Sequence, residues 1–363
     1  MEELHDATAL EKMLIMKASA MGQPISATFE LTPTCNLQCE MCYIRLTPPR
    51  MEELGGWRSL EEWKHTALAL KKMGTLFILL TGGEPLLYPH FTELYTFLRQ
   101  NGFIITINTN GTLLTPEIAQ VLKDSKPRRV NVTLYGASEE TYRKVCHNPQ
   151  GFSQCIGALQ LLKDYGIDTK VNFSMIPENL QDYKAMMQIA DGFGFPVVAD
   201  SYMICGCNSL CQPARDINSR RLPPEEAARV WLNQVIYEKK EQWEAARKEM
   251  LACLERGEGT LQEPLGMICR AADTSCWIDF RGMMLPCDIL EEYGVSLKDH
   301  SAEDAWAEIR KVRSKITPHA ECQGCELHKI CAVCYATAHQ EKQVNGSLDY
   351  LCRMTRKKKE LLC

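Results

Sequence analysis

At 363 residues, with a formal charge of −5 and a pI near 6.0, the chain can bury a sizeable core and carries no electrostatic footprint for nucleic acid. No apolar run approaches the length of a membrane span, and residues 1–20 mix acids and lysines into an amphipathic pattern, which excludes a signal peptide and a transmembrane helix. Eighteen cysteines in a long, unsignalled chain point away from disulfides and toward metal ligation in a reducing cytosol.

Residues 3–20 have helical periodicity (Leu4, Ala7, Leu10, Met13, Leu14, Met16) and are expected to cover one end of a barrel. A strand at 26–32 then delivers Cys35-x3-Cys39-x2-Cys42, three thiols within eight residues. Thiolates are soft ligands that suit iron–sulfur clusters and zinc. The loop can place three of them on one centre but offers no fourth, so a [4Fe–4S] cube there would keep one iron open. A zinc knuckle or packed cysteines is the competing reading. After a helix near 59–73 comes the apolar run Phe77–Leu80, followed at once by Thr81-Gly82-Gly83-Glu84-Pro85. Two glycines at a strand end let backbone approach a ligand, and a carboxylate there can take up an amine. A helix near 89–101 precedes the strand Ile104–Ile107, which ends at Asn108-Thr109-Asn110-Gly111. A helix at 115–124 leads to the strand 129–135, then helices near 138–146 and 151–166. Strands at 169–175 and 196–203 flank a helix near 180–194.

Six strands alternating with helices imply a parallel sheet. Polar signals fall at successive strand ends: Cys35–Cys42, Thr81–Glu84, Asn108–Asn110, Thr133 and Ser174. Such convergence on one rim favours a curved, partial (β/α)6 parallel barrel over a flat doubly wound sheet. Cys205, Cys207 and Cys211, in the loop leaving the sixth strand, match no site type and stay unassigned. Pro223–Leu254 reads as a long charged helical spacer, broken once and closed by Gly257-Glu-Gly259.

From residue 269 the pattern changes. Cys269 and Cys276 precede a short strand (Trp277–Phe280) and the turn Arg281-Gly282, followed by Met283-Met-Leu-Pro286-Cys287. Further on, Cys322-x2-Cys325-x5-Cys331-x2-Cys334 is dense, and Cys352 follows. Eight thiolates make either two zinc ribbons or two four-cysteine cluster sites, and spacing alone does not separate iron from zinc. The basic run Arg356–Lys359 complements a helix end or is solvated.

The CxxxCxxC loop one strand ahead of GGEP resembles the radical S-adenosylmethionine (SAM) superfamily, and Cys269 through Cys352 looks like its SPASM extension. The resemblance implies a partial barrel followed by a small cysteine-rich α+β domain holding auxiliary iron–sulfur clusters. It divides the chain into an N-terminal helical cover (1–24), the barrel (25–204), a loop and helical linker (205–262) and the auxiliary domain (263–363). It implies SAM and three [4Fe–4S] clusters as cofactors. The first would sit on Cys35, Cys39 and Cys42, with its open iron chelating the SAM methionine. One auxiliary cluster would take Cys269, Cys276, Cys287 and Cys334, and the other Cys322, Cys325, Cys331 and Cys352. Without Cys276 the former would have an iron open to substrate. Gly82, Gly83 and Glu84 would hold the SAM amino group, while Asn108, Thr133 and Ser174 would read its carboxylate or ribose hydroxyls. Met41 stands where the family usually places an aromatic beside adenine. Gln154 falls near a usual carboxylate-reading arginine, a contact that Arg143 or Lys144 would otherwise supply.

In that family SAM is cleaved reductively to a 5′-deoxyadenosyl radical, which abstracts hydrogen from an unactivated carbon. SPASM members act mostly on peptides or proteins. The resemblance therefore implies a peptide maturase forming a thioether or carbon–carbon crosslink, with an anaerobic sulfatase-maturating (formylglycine-forming) enzyme as runner-up and a tetrapyrrole-tailoring enzyme behind it. Asp288, directly after Cys287, matches the proposed base of sulfatase maturases. The two residues between Cys331 and Cys334, Ala332 and Val333, instead match peptide-modifying and quinone-cofactor maturases. The implied partners are a peptide or protein substrate and an electron donor such as flavodoxin or ferredoxin. Recognition of the peptide falls to a separate leader-recognition protein or to the barrel mouth; neither nucleic acid nor membrane is implied. A non-catalytic iron–sulfur carrier or zinc scaffold is the alternative outside enzymes, but it needs neither GGEP nor a three-cysteine first site.

Overall fold

In the computed structural model, the described residues are 8–206, 209–211, 216–255, 269–317, 319–331 and 334–363. Cys207, Gly257, Gly259, Ala332, Val333 and the expected boundary at 262/263 lie outside them. Six strands run in parallel as β1 (Ser26–Glu30), β2 (Phe77–Thr81), β3 (Ile104–Thr109), β4 (Arg129–Leu134), β5 (Thr169–Ser174) and β6 (Val197–Asp200). Helices return the chain between them, each docking an apolar stripe on the outer face of the sheet. Their ends are chemically marked. Ser59 and Glu62 form a capping box for Leu60–Lys72, while Thr115 and Pro116 open Pro116–Asp124. The short helix Pro48–Glu53, capped by Thr47, is an element that the periodicity does not foresee.

The strand faces differ in kind. In β3, Ile105, Ile107 and Thr109 are buried against helices, whereas Ile104, Thr106 and Asn108 alternate with them and are half-buried. The same alternation in β4 and β5 turns Asn131, Thr133, Asn172 and Ser174 to the inner face. A parallel sheet packed on both sides would be apolar throughout. Here the inner face carries Thr106, Asn108, Asn131, Thr133, Asn172 and Ser174.

The sheet does not stop at the barrel. Beyond β1 it continues into β7 (Ser275–Ile278), β8 (Met283–Leu285) and β9 (Val295–Ser296), giving the order β6-β5-β4-β3-β2-β1-β7-β8-β9. β7 pairs in parallel with β1, setting Ala27 opposite Cys276 and Thr28 opposite Trp277, whereas β8 and β9 turn antiparallel. The cysteine-rich half is thus sewn into the barrel sheet.

The helix Ala9–Met21 closes the end of the barrel where the strands begin, through the Glu11–Arg128 ion pair at 2.8 Å and the Ser19–Asp273 hydrogen bond at 2.9 Å. The spacer is two helices, Pro224–Lys239 and Trp243–Glu255, broken at Lys240, whose φ of 45° interrupts the helix. Among the described residues no helix is long and apolar enough to cross a membrane.

Glu30, on the inner face of β1, is buried and accepts a hydrogen bond from Trp277 Nε1 at 3.1 Å. Burial, reinforced by the charge of Asp279, pushes its carboxyl up to about 8. A carboxyl raised in the fold contributes stability that is complete below its ordinary value of 4.5 and is lost as pH climbs through 8. The wild-type chain should therefore lose stability over that window, by an amount on the order of a few kcal/mol. Glu30→Gln should flatten the loss when anaerobic urea midpoints are compared at the two ends of the window. Parallel slopes for the two proteins would contradict this assignment.

Candidate functional site

Backbone hydrogen bonds beyond the ends of β1 and β2 hold the first thiol loop. Leu31 donates to Thr81 O at 2.9 Å, Gly83 to Thr32 O at 2.7 Å and Glu84 to Thr34 O at 3.0 Å. A Cβ on Gly82 would lie 2.2 Å from Thr32 O, and one on Gly83 would lie 2.2 Å from Thr34 O. The glycines therefore let the chain that carries Cys35 approach closely, a neighbour the motif alone does not name. Glu84 is fully buried, and its carboxylate accepts from Leu86 N at 3.0 Å, Thr109 Oγ1 at 2.8 Å and Asn110 N at 2.8 Å. Burial outweighs these bonds and pushes the carboxyl up to about 7. It knits the ends of β2 and β3 beneath the loop. Asn110 then donates to Cys35 Sγ at 3.6 Å and to Asn36 Oδ1 at 3.0 Å.

The far side of the loop rests on the helix Glu139–Cys146. Gln38 and Glu40 donate to the carbonyls of Cys146 and Val145, both at 3.0 Å. Cys39 is buried and hydrogen-bonded to the thiol of Cys146, a neighbour that spacing does not reveal. Burial pushes the Cys35 thiol up to about 12, with Glu84, Cys39 and Cys42 adding to the shift. Among the described residues no three His, Cys, Asp or Glu donors converge closely enough to hold one metal ion. Three thiols near enough to feel each other's charge are the donors that a cluster meeting each at a separate iron would need.

The inner face of the barrel lies beside this loop. Asn108 accepts from Asn131 Nδ2 at 2.8 Å, and Thr133 and Ser174 are half-buried along the same face. Met41 is buried in the main apolar core. Arg143 and Lys144 share Glu140 on the exposed surface, and Gln154 is exposed as well. The inner face contains more polar groups than the motif predicts. The Oδ1 atoms of Asn131 and Asn172 are buried without a protein partner, as acceptors for a bound molecule would be. Asparagine is disfavoured in strands, so its presence in Arg-Val-Asn131-Val and Lys-Val-Asn172-Phe is a signal the sequence does contain.

The later cysteines form two groups. Cys269, Cys287 and Cys334 pack on one small core of Ala271, Leu290, Val312, Ile316 and Ala336, and Cys269 and Cys287 both sense the charge of Cys334. Cys276, expected as their fourth ligand, is elsewhere. It is buried in β7 opposite Ala27 and belongs to the main core. Strand parity is the reason: Trp277 reaches Glu30 on the inner face, so Cys276 must point to the other. The second group is Cys322, Cys325, Cys331 and Cys352, in which burial and the other three charges push Cys322 up to about 11.

A cavity of 670 Å³ is lined by Tyr43, Asp288, His339 and Gln340 among others. Tyr43 follows Cys42, and Asp288 follows Cys287, so the cavity borders residues next in sequence to the first thiol loop and to the three-cysteine group. The Tyr43 hydroxyl donates to Asp288 Oδ2. Burial raises the Asp288 carboxyl above its ordinary value. Cys211 donates to the Tyr43 carbonyl at 3.6 Å and Cys205 to Gln340 Oε1 at 3.9 Å, so both buried thiols brace the cavity wall.

Residues 29–190 match the Radical SAM superfamily. The chain is 26% identical over 334 residues to the AdoMet-dependent heme synthase of Methanosarcina barkeri, covering 87% of this chain and 92% of that protein. It is 32% identical over 166 residues to the antilisterial bacteriocin subtilosin biosynthesis protein AlbA of Bacillus subtilis, a match spanning 46% of this chain and 36% of AlbA. Its fold superimposes on Streptococcus suis SuiB bound to precursor peptide SuiA with a TM-score of 0.66 at 17% identity, covering 92% of this chain and 77% of SuiB.

Proposed function

We propose that the chain is a radical SAM enzyme, on the match of residues 29–190 to that superfamily, and that it is a peptide maturase that oxidises one residue of its substrate to a thioether or carbon–carbon crosslink. Cys35, Cys39 and Cys42 would hold the cluster, while Glu84, Thr133, Ser174 and the acceptor atoms of Asn131 and Asn172 would line the SAM site. When bound, the cluster and SAM supply a 5′-deoxyadenosyl radical that removes hydrogen from a substrate carbon. The protein positions that carbon, excludes water and manages the proton released on oxidation.

The cavity bordered by Tyr43 and Asp288 carries this reading. On this reading substrate would lie between the radical source and Cys269, Cys287 and Cys334, a group of three thiols among the described residues, which would leave room for a substrate thiol on an auxiliary cluster. Cys322, Cys325, Cys331 and Cys352 would complete a third centre. Asp288 would take up the proton, with Tyr43 fixing its carboxylate. Charge supports a peptide over a tetrapyrrole. Among the described lining residues Asp288, Glu291 and Glu292 face a single arginine, Arg281, which is already bonded to Asp279 at 2.7 Å. An anionic tetrapyrrole would be repelled by such a wall, although the heme synthases are similar along most of the chain. The Tyr43–Asp288 bond also favours a second reading, formation of formylglycine in a sulfatase.

The test is anaerobic reconstitution with SAM and dithionite, or with a flavodoxin or ferredoxin donor, in the presence of cysteine-containing peptides encoded beside the gene. We expect 5′-deoxyadenosine well above a Cys35→Ala control and a peptide lighter by two hydrogens, with no reaction toward hydrazide. A hydrazide-reactive aldehyde would move the assignment to the sulfatase maturase. No 5′-deoxyadenosine above the control would sink both.

A further inference from the structure

The helix Asp349–Leu362 buries one stripe, made of Leu351, Met354, Thr355, Lys358 and Leu362. Spacings of three and four mark positions that normally hold apolar residues. Lys358 is the exception, an ammonium only 7% exposed. Such a charge is costly to bury unless its surroundings compensate. Its Nζ lies 5.0 Å from the centroid of the Trp231 ring; burial pulls the ammonium down to about 8, and the charges of Cys331 and Asp200 oppose that shift. The short helix His328–Cys331 packs against the same helix. One turn beyond Cys352, on the same helical face, stands Arg356, whose charge reaches that thiol. Two cations of the basic run that the sequence assigns to solvent or to a helix end therefore stand within electrostatic reach of one thiol group. Lys357 in the same run pairs with Glu360 at 2.9 Å.

We propose that Lys358, aided by Arg356, is a positioning residue that sets the reduction potential of an iron–sulfur centre on Cys322, Cys325, Cys331 and Cys352. The proposal rests on the reading of those four thiols as a cluster site. A cube held by four thiolates is anionic and gains one more negative charge on reduction. A fixed cation in dry surroundings stabilises the reduced form more than the oxidised one and raises the potential. Trp231 keeps water from the ammonium, and Asp200 offsets part of its charge. The electron left on substrate after hydrogen removal needs an acceptor, and a centre poised in this way can take it.

The experiment is an EPR-monitored redox titration of the full chain, reconstituted anaerobically, with iron measured per chain. Lys358→Met should move the midpoint of one auxiliary signal to a more negative potential and leave the others in place. Arg356→Gln, at an exposed position, should move the same signal less, and Lys358→Arg should restore it. Unmoved midpoints in all variants at wild-type iron content would overturn the proposal. Should Lys358→Met lose iron, Arg356→Gln decides: an unmoved signal in that variant overturns the proposal equally. Iron content unchanged by Cys322→Ala and Cys352→Ala would instead overturn the reading of the four thiols as a cluster site, and the proposal would fall with it.

Discussion

Alanine at Gly83 is expected to unseat the first thiol loop and to abolish most turnover. Its methyl group would lie 2.2 Å from the carbonyl oxygen of Thr34, a backbone atom with no side-chain freedom to move aside. Carbon and oxygen cannot approach below about 3 Å without a shift, so the Thr32–Thr34 segment must retreat by roughly 1 Å. A displacement of that size near reacting atoms costs on the order of a hundredfold in rate. Formation of 5′-deoxyadenosine should fall accordingly, and iron at the first site should drop while that of the later cysteines is kept. Gly157, in the helix Gly151–Asp164, has nothing within 4 Å of where a methyl group would stand and serves as the control. There alanine should be neutral or stabilise by about 0.5–1 kcal/mol. Wild-type turnover by Gly83→Ala would show that the loop does not depend on this contact.

The second large effect is expected where the two halves meet. Arg221 and Glu341 form an ion pair with side-chain exposures of only 5% and 0%. The guanidinium lies 3.8 Å from the Tyr350 ring centroid, while Tyr202 donates to Glu341 Oε1 at 2.9 Å and Asn345 to Oε2 at 2.7 Å. The pair thus ties the segment after β6 to the helices Tyr335–Asn345 and Asp349–Leu362. Arg221→Met strands a buried carboxylate and should cost about 3–5 kcal/mol, read from urea midpoints. Arg221→Met combined with Glu341→Leu removes both charges and should recover most of the loss, because such a pair gains little over an apolar replacement. A single variant within about 1 kcal/mol of wild type would mean that water reaches the site. The helix concerned begins just after Cys334 and carries His339 and Gln340 into the cavity. Loosening it should therefore reach the chemistry as well as the fold.

How much of this was legible in the sequence depends on distance along the chain. The six parallel strands, their order and the first thiol loop follow from local signals: apolar runs, turn residues and cysteine spacing. The parity of β7 was legible too, since Ser275-Cys276-Trp277-Ile278 alternates, and it sets Cys276 apart from the three thiols with which the family resemblance groups it. The purpose of Gly82 and Gly83 was not legible, because a glycine records that something comes near and not what. Tyr43 and Asp288 lie 245 residues apart, and no periodicity joins them. Cys146 beside Cys39 and Lys358 against Trp231 belong to the same class, side chains brought together only by helices docking in the finished fold.

The pairing of β7 with β1 has a consequence for how the molecule is made. β1 leaves the ribosome ahead of the other eight strands, yet one of its two hydrogen-bonding neighbours arrives some 248 residues later, as the Ser26–Thr274 contact measures. Until then that strand is a bare edge, open to pairing with another chain. Truncation anywhere before residue 275 should therefore yield aggregates instead of a free-standing barrel, and closure of the sheet should be a late, slow event in folding.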